Sequence, residues 1–500
     1  MPVPTNSVSG CDVDVLIVGA GLSGIGAACH LRSESPRRTF LLFEGREDLG
    51  GTWDLFRYPG IRSDSDMHTL GYSFKPWTDE KSIADGPSIL SYLRQTVAEH
   101  EIASHIRYSH RVTHASWSSE RSYWSITAET PAGTVTLTAA FVFMCAGYYS
   151  YVAGHSPAFE GRESFSGQII HPQDWPEDLA YAGKRVVVIG SGATAVTIVP
   201  AMATSASHVT MLQRSPTWVV SRPDRDRVAN ALRRVLPPTL AYRITRFKNT
   251  LLQQVFYQRS RAKPAKMREA LLARLAKDLG PESQDQLVNF TPSYDPWDQR
   301  LCLVTNGDLF EAMKQGRVAV VTDHIERFDA SGIQLASGDH LEADLIITAT
   351  GLELVTLGEV AFDLDGVPID FGDTWTYKGF AYSGVPNLAS VFGYVNASWT
   401  LRADLIASYV CRLLNHLEAT GTSVATPRLR ASDRSMPARP WIDEFTPTYM
   451  TRAMDRFPRQ GDREPWVNPH DYRHDRRIFL KEPLDDGVMA FDSSGEAAQG

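Results

Sequence analysis

The sequence has little that would support a disulfide framework, a metal centre or a membrane span. Its five cysteines stand singly, without the C-x-x-C spacing of a dithiol or metal site, and we expect reduced thiols and no metal. These are Cys11, Cys29, Cys145, Cys302 and Cys411. The amino terminus lacks a basic region, and no apolar run approaches the roughly 18 residues of a membrane span. We therefore expect a cytoplasmic protein.

An excess of positive charge is also missing. The net charge of −8 and a pI near 6.0 argue against nucleic acid as a general partner. A length of 500 residues suggests roughly three domain-sized units. The 43% hydrophobic and 22% charged residues are ordinary for a globular protein with a large core.

A buried strand over residues 13–18 leads into a glycine-rich turn and a helix. In Gly19-Ala-Gly21-Leu-Ser-Gly24 the spacing is that of a dinucleotide-binding turn, whose backbone N–H groups and helix N-terminus receive a pyrophosphate. Glu44 ends the second predicted strand, about 20 residues further on, where a carboxylate binds ribose hydroxyls. A carboxylate here suits a ribose that carries no phosphate, as in FAD, so we expect the first cofactor to be FAD.

The same pattern occurs a second time. Residues 185–189 predict a buried strand, and Gly190-Ser-Gly192-Ala-Thr194-Ala then opens another helix. After the next strand, Arg214 and Ser215 stand where the first unit has its glutamate. An arginine with a hydroxyl neighbour accepts a 2′-phosphate that a carboxylate would repel, so the second cofactor should be NADPH.

An irregular stretch over residues 50–64 is rich in glycine and aromatic residues. It reads G-G-T-W-D-L-F-R-Y-P-G-I-R-S-D and contains Gly51, Thr52, Trp53 and, at its end, Asp64. Ordered loops of this length are usually functional. Taken alone, Asp64 is better explained by the capping of a turn than by a functional role.

A third motif lies between the two nucleotide turns. Residues 165–176 read F-x-G-x-x-x-H-x-x-x-W-P, with Phe165, Gly167, His171 and Trp175 at its fixed positions. Its place is that of a linker between two cofactor domains.

Between these motifs and the carboxyl terminus, residues 222–278 hold 15 Lys and Arg against 4 Asp and Glu. We predict a helical insertion at about 222–290, with apolar helix faces that pack on a domain. Its charged surface is either solvated, which we favour, or in weak contact with a membrane surface. Residues 292–303 form a Pro-rich and aromatic loop that carries Arg300. A helix should begin near residue 401, with Ser398 or Thr400 as a cap or with its N-terminus toward the flavin. Residues 493–500 look disordered.

Together these stretches resemble the Baeyer–Villiger monooxygenases, which are type I, class B flavoprotein monooxygenases, and among them the ethionamide-activating branch. The resemblance implies an α/β fold with two Rossmann-like domains, for FAD and for NADPH. Residues 1–150 and 353–500 would form the FAD domain, and residues 151–352 would form the NADPH domain with its helical insertion. NADPH would reduce FAD, dioxygen would add, and the peroxyflavin would convert a ketone to an ester or lactone, or oxygenate a sulfide or thioamide.

Within that resemblance, Arg300 is the candidate catalytic residue, with Asp64 orienting it near the flavin. A guanidinium stays charged at any working pH and can hold an anionic oxygen. At about 4 Å and an effective dielectric near 20 the attraction is about 4 kcal/mol, or roughly a thousandfold in rate. His171 and Trp175 would couple domain rotation. Many relatives have a basic residue before this arginine, but here it is Gln299, which puts one contact to the adenosine phosphate in doubt.

Three alternatives share parts of this pattern. An N- or S-oxygenating flavin monooxygenase has the same architecture but typically lacks the Trp175-Pro176 pair. A thiol–disulfide oxidoreductase needs paired cysteines, which are missing here. A non-enzymatic flavin sensor would need neither Arg214 nor the loop of Arg300.

Overall fold

The structure of the protein, a computed structural model, describes residues 9–443 and 447–493. The tail that we predict to be disordered lies outside the described residues except for Ser493. The strands are β1 (Val13–Val18), β2 (Phe40–Phe43), β3 (Ile106–Arg107), β4 (Arg111–Ser118), β5 (Tyr123–Thr130), β6 (Gly133–Met144), β7 (Tyr149–Gly154), β8 (Gln168–Ile170), β9 (Arg185–Ile189), β10 (His208–Gln213), β11 (Val219–Arg222), β12 (Cys302–Thr305), β13 (Val318–Thr322), β14 (Ile325–Asp329), β15 (Gly332–Leu335), β16 (His340–Glu342), β17 (Leu345–Thr348), β18 (Leu352–Leu354), β19 (Ala361–Leu364), β20 (Val367–Pro368), β21 (Thr376–Tyr377), β22 (Ala381–Tyr382), β23 (Leu388–Ser390), β24 (Val424–Pro427) and β25 (Met489–Asp492).

The helices fall in four groups: those of the first unit, those of the second unit, the basic insertion and those of the carboxyl-terminal part. They are α1 (Leu22–Glu34), α2 (Thr52–Leu55), α3 (Met67–Leu70), α4 (Gly86–Glu99), α5 (Ala193–Met202), α6 (Arg227–Val235), α7 (Pro238–Ala262), α8 (Pro264–Leu279), α9 (Asp308–Lys314), α10 (Trp399–Thr420), α11 (Thr448–Thr451) and α12 (Tyr472–Lys481). Over residues 9–443 and 447–493, no helix combines the length and apolar character needed to cross a membrane.

The first sheet is built around β1, whose six side chains are all buried. Strand β1 pairs in parallel with β2 and β6, and β6 pairs in parallel with β23. The order is β20-β19-β4-β5-β6-β1-β2-β3, with β23 added beside β6. Helix α1 starts right after β1, and a Cβ atom at Gly24 would lie 1.9 Å from the carbonyl oxygen of Gly19. Only glycine therefore lets this helix pack so close to the turn.

The second sheet has the order β13-β10-β9-β17-β8, and every pairing in it is parallel. Its central strands are apolar and buried, as the sequence predicts for a sheet covered on both faces. The predicted α/β fold with two units of this kind is confirmed.

The chain crosses between the two sheets twice. Strand β7 leads from the first sheet to the second, β18 leads back, and the two pair with each other in antiparallel orientation. The division of the chain at residues 150 and 352 stays a prediction, and both positions lie within or next to these crossing strands.

The basic insertion forms α6, α7 and α8, followed by 3-10 turns over Pro281–Phe290. The inner face of α7 packs on the first unit, as we expect for the insertion, while solvation or membrane contact of its outer surface stays a prediction. Arg246 donates to the carbonyl oxygens of His68 (3.1 Å) and Gly71 (2.6 Å), and the Tyr242 hydroxyl donates to that of Tyr72 (2.9 Å). Polar side chains on this helix therefore bind the backbone of the first unit instead of water.

Candidate active site

A cavity of about 850 Å³ opens between the two units. It runs from the first glycine turn, past the loop of residues 50–64, to the start of α5 and the loop before β12. Of the residues predicted to form a site, those that line it are Gly19, Gly21, Glu44, Gly51, Thr52, Trp53, Asp64, Thr194 and Arg300.

Glu44 lies at the end of β2, inside the cavity and almost fully buried. One of its carboxylate oxygens accepts a hydrogen bond from the Ala20 N–H (2.7 Å) and the other accepts one from the Arg46 N–H (2.9 Å). Burial raises its pKa, which these two bonds oppose. The carboxylate is thus fixed beside the turn with acceptor capacity left for a hydroxyl group.

The loop of residues 50–64 packs on both units. A Cβ atom at Gly21 would lie 3.5 Å from the Cα atom of Gly51, so the loop closes over the first turn. Tyr58 hydrogen-bonds the side chain of Thr194 at the start of α5. The loop therefore reaches from one glycine turn to the other.

Arg300 and Asp64 form an ion pair within the cavity. The distance from Nη2 of Arg300 to Oδ2 of Asp64 is 3.1 Å. The charge of Asp64 raises the pKa of Arg300 above its usual value, an effect that burial opposes. Both side chains line the cavity, and their exposed fractions of 41% and 36% show that the pair is open to a ligand there.

An aromatic wall stands beside this pair. Tyr148 stacks on Trp399, with ring centroids 5.1 Å apart and planes at 17°, and Phe392 packs against both rings. The indole N–H of Trp399 donates to the Ser23 hydroxyl at 2.8 Å. Burial raises the pKa of Tyr148, which the charge of Arg300 opposes. Sequence reasoning missed this wall, because its members are far apart in the chain and no spacing rule relates them.

Helix α10 begins at Trp399, and residues 397–399 line the cavity. Ser398 is the N-cap by position, but its hydroxyl pairs with that of Thr69 at 2.6 Å. Thr400 donates to the carbonyl oxygen of Leu70. Neither hydroxyl therefore caps the helix, whose N-terminus faces the cavity.

The second glycine turn lies at the edge of the cavity. Ala193 and Thr194, the first residues of α5, line it, whereas Gly190, Gly192, Arg214 and Ser215 do not. Arg214 and Ser215 follow directly after β10 and are exposed. The hydroxyl of Ser191 pairs with that of Thr217 at 2.8 Å, which ties the turn to the segment after β10.

The third motif lies outside the cavity, at the edge of the second sheet. Phe165 is buried in the core of that sheet, and Trp175 packs against its other face. A Cβ atom at Gly167 would lie 2.5 Å from the carbonyl oxygen of Asp344, so this position tolerates only glycine.

His171 contacts both crossing segments between the units. Its Nε2 atom lies 3.1 Å from the carbonyl oxygen of Gly351, just before β18, and its Nδ1 atom accepts the Gln173 N–H at 3.2 Å. The ring also packs directly on Gly154 in β7, where an added Cβ atom would lie 1.8 Å from Cε1. Burial lowers the pKa of His171, which favours the neutral ring with its proton on Nε2.

Helix α7 also contributes to the cavity, which the sequence did not suggest. Leu252, Gln253 and Phe256 line it. The sequence predicts the helix that carries these residues, but no neighbouring residue indicates which unit this face of the helix contacts.

Comparison with known proteins agrees with this arrangement. The profile of the FMO-like family, "Flavin-binding monooxygenase-like", matches residues 13–355. The FAD-containing monooxygenase EthA of Mycobacterium tuberculosis is 51% identical over 480 residues, covering 96% of this chain and 97% of that protein. The putative FAD-containing monooxygenase MymA of the same species is 48% identical, covering 97% and 98%. The probable FAD-binding monooxygenase AlmA of Acinetobacter baylyi is 45% identical, covering 97% of each.

Solved structures show the same fold. An oxidised steroid monooxygenase bound to NADP superposes with a TM-score of 0.77 and 23% identity, covering 96% of this chain and 99% of that one. An open cyclohexanone monooxygenase superposes with a TM-score of 0.74 and 21% identity, covering 96% and 99%. The expected cofactors FAD and NADPH agree with these names and bound groups, and the predicted flavin-dependent monooxygenase enzyme is confirmed: the chain belongs to the flavin-binding monooxygenase-like family.

Proposed function

We propose that this monooxygenase uses NADPH and dioxygen to insert one oxygen atom beside a ketone carbonyl, giving an ester or lactone. Thioethers and thioamides form a second substrate class in this proposal. The observation that carries it is the Arg300–Asp64 ion pair, which lies in the cavity bordered by both glycine turns.

The residues of the first unit fit FAD. The turn from Gly19 to Gly24 opens into the cavity at the N-terminus of α1, where free backbone N–H groups and the helix dipole favour a pyrophosphate. Glu44 is fixed where it can accept ribose hydroxyls. Gly51, Thr52 and Trp53 line the same cavity. These residues would hold FAD between the turn and the loop.

The residues of the second unit fit NADPH. Gly190 and Gly192 precede α5, whose first residues reach the cavity at Thr194. Arg214 and Ser215 are exposed after β10, and Arg214 makes no ion pair with any residue of 9–443 or 447–493. A free guanidinium beside a hydroxyl is suited to a 2′-phosphate.

When bound, NADPH and FAD supply the hydride and the activated oxygen. The chain must then stabilise the negative charge that develops on the carbonyl oxygen when a nucleophile adds to a ketone. Arg300 is a permanent cation at any working pH, and Asp64 holds its guanidinium in place. An attraction of about 4 kcal/mol at an effective dielectric near 20 gives roughly a thousandfold in rate. No general base is needed for this role.

The aromatic wall shields the site beside Arg300 from water. Tyr148 and Trp399 are stacked beside Arg300, and Phe392 packs on both at a tilt, so that apolar surface there keeps the local dielectric low. A low dielectric strengthens the attraction between Arg300 and an oxyanion.

His171 is a positioning residue in this proposal. It touches both crossing segments but not the cavity, so it can link the orientation of the two units without contacting the substrate. Trp175 packs on the second sheet and would support the same linkage. We also place the enzyme in the cytoplasm, where NADPH and reduced thiols are found.

The test is to supply the purified flavoprotein with NADPH, isotopically labelled dioxygen and a simple aryl ketone. We expect an ester that carries one labelled oxygen atom and depends on NADPH. If the enzyme oxygenates only amines and sulfides and leaves a range of ketones untouched, it is an N- or S-oxygenating monooxygenase and the Baeyer–Villiger assignment is wrong.

A further inference from the structure

The exposed apolar side chains of this protein are concentrated in one segment. Of eleven large hydrophobic residues exposed among the residues that the structure describes, six lie between residues 228 and 252, in α6, in α7 or in the turn between them. These six are Val228, Val235, Leu240, Ile244, Phe247 and Leu252. Scattered exposed apolar residues are normal, but a cluster of this kind marks a contact surface.

Helix α7 has one face that is exposed and apolar and an opposite face that packs on the first unit. Leu240, Ile244 and Phe247 recur at the spacing of a single helix face and are 44%, 41% and 69% exposed. The opposite face, with Tyr242 and Thr245, is buried against the first unit. The helix already contacts the core through its inner face, so packing in the core does not explain the apolar residues on the outer face.

The segment that carries this face has charged side chains of one sign only, of which Arg246, Lys248 and Arg261 pair with carboxylates elsewhere in the chain. Residues 227–262 contain eight Lys and Arg and no Asp or Glu, in a chain of net charge −8. Arg243 lies beside the apolar face of α7, and Arg234 lies in the last turn of α6. Both are exposed, and neither forms an ion pair with another residue in the described part of the chain. The partner that matches such a surface is apolar inside and negatively charged outside.

The same helix reaches the active-site cavity. Leu252 is 56% exposed and also lines the cavity, next to Gln253 and Phe256. One edge of the cavity thus lies on the same helix as the exposed face, beyond Phe247 toward its carboxyl end.

We propose that Leu240, Ile244, Phe247, Arg234 and Arg243, here called the docking face, bind the surface of an anionic phospholipid bilayer. The apolar side chains enter the headgroup boundary and the arginines contact lipid phosphates, as in amphipathic helices that lie on membranes. The edge of the cavity at Leu252, on the same helix, then lies near the bilayer, from which apolar substrates can enter. This inference rests on the surface of α7 and not on the reaction proposed above.

The holoenzyme is to be sedimented with phosphatidylcholine vesicles and with vesicles of phosphatidylcholine mixed with phosphatidylglycerol. We expect binding to the mixed vesicles at low salt and much less to the neutral ones. Ile244→Ser with Phe247→Ser should lower the partition coefficient about tenfold or more. Arg234→Gln with Arg243→Gln should lower it on mixed vesicles only. A matched control, Val367→Ser, removes an apolar side chain that is 67% exposed elsewhere and should change nothing.

Retained flavin absorbance shows that each variant is folded. The proposal is overturned if the protein stays in the supernatant with mixed vesicles at low salt, or if folded docking-face variants bind as well as the unaltered protein. It is also overturned if the serine variant instead turns a dimer into a monomer in size-exclusion chromatography, because the face is then an interface between two copies.

Discussion

The guanidinium of Arg300 lies 3.1 Å from the carboxylate of Asp64, although one residue precedes β12 and the other ends the loop after α2. This pair joins the two units within the cavity. Because the guanidinium is 41% exposed there and has donors beyond the one bound to Asp64, we expect it to bind a second negative charge.

Replacing Arg300 with Ala should separate the two halves of the reaction. We expect NADPH still to bleach the flavin, while oxygenated product falls roughly a thousandfold because the developing oxyanion loses its cation. Product is measured by gas chromatography and NADPH use by absorbance. Arg185, which pairs with Asp344 on the surface of the second unit, is the matched control, and Arg185→Ala should leave both rates unchanged. Normal product formation by Arg300→Ala would remove this residue from the mechanism.

Arg214 should decide between NADPH and NADH. Arg214→Ala removes the cation proposed to hold the 2′-phosphate, so KM for NADPH should rise by about tenfold to a hundredfold while KM for NADH stays the same. Steady-state kinetics with both nucleotides measure this. Arg327→Ala changes an exposed arginine elsewhere in the chain and serves as the control. An equal rise for both nucleotides would show that Arg214 does not read the phosphate.

His171 should affect turnover more than cofactor binding. His171→Ala removes the contact between Gly351 and Gly154, so we expect kcat to fall about tenfold or more, with KM for NADPH and flavin content little changed. His324→Ala, an exposed histidine, is the control. A loss of flavin with an unchanged kcat per flavin would indicate a purely structural role.

His30 makes stability depend on pH. Its Nδ1 atom lies 2.7 Å from Glu34, and Nε2 lies 3.4 Å from Asp404. Burial lowers its pKa, but the hydrogen bonds to Asp404 and Glu34 outweigh burial and raise the pKa to about 9. The protonated ring therefore stabilises the fold fully below about pH 6.5, and this contribution is lost as pH rises through 9.

We expect Tm to fall between about pH 6.5 and 9, with a loss of stability on the order of 2 kcal/mol. His30→Gln should have a lower Tm at pH 6 and a flatter profile, as measured by thermal unfolding across pH. His416→Gln is the control, since His416 packs on Phe491 and pairs with no carboxylate in the described residues. An unchanged slope in His30→Gln would show that another group is responsible.

Sequence predicted the local features of this fold and site well. The strand, turn and helix at β1 and α1 depend on neighbouring residues, and the spacing from Gly24 to Glu44 follows from the length of one helix and one strand. The pairing of Asp64 with Arg300 came from the resemblance to a family, since no spacing rule links a loop to a segment so distant in the chain.

Contacts between distant segments were not predictable. The stacking of Tyr148 on Trp399 depends on how the start of α10 meets the segment after β6, and no spacing rule relates these two residues. Arg246 was not singled out, because its partners are backbone carbonyl oxygens and the carboxylate of Asp404, which no spacing rule links to it.

Because the chain crosses between the sheets at β7 and β18, the two sheets are completed in a fixed order during synthesis. The second sheet is made from one continuous stretch that ends with β17, whereas the first sheet still needs β19 and β23 from later in the chain. As the chain leaves the ribosome, the second sheet is therefore complete while β6 still lacks its β23 partner. The first sheet, whose strand β1 is synthesised first, is therefore the last to be completed.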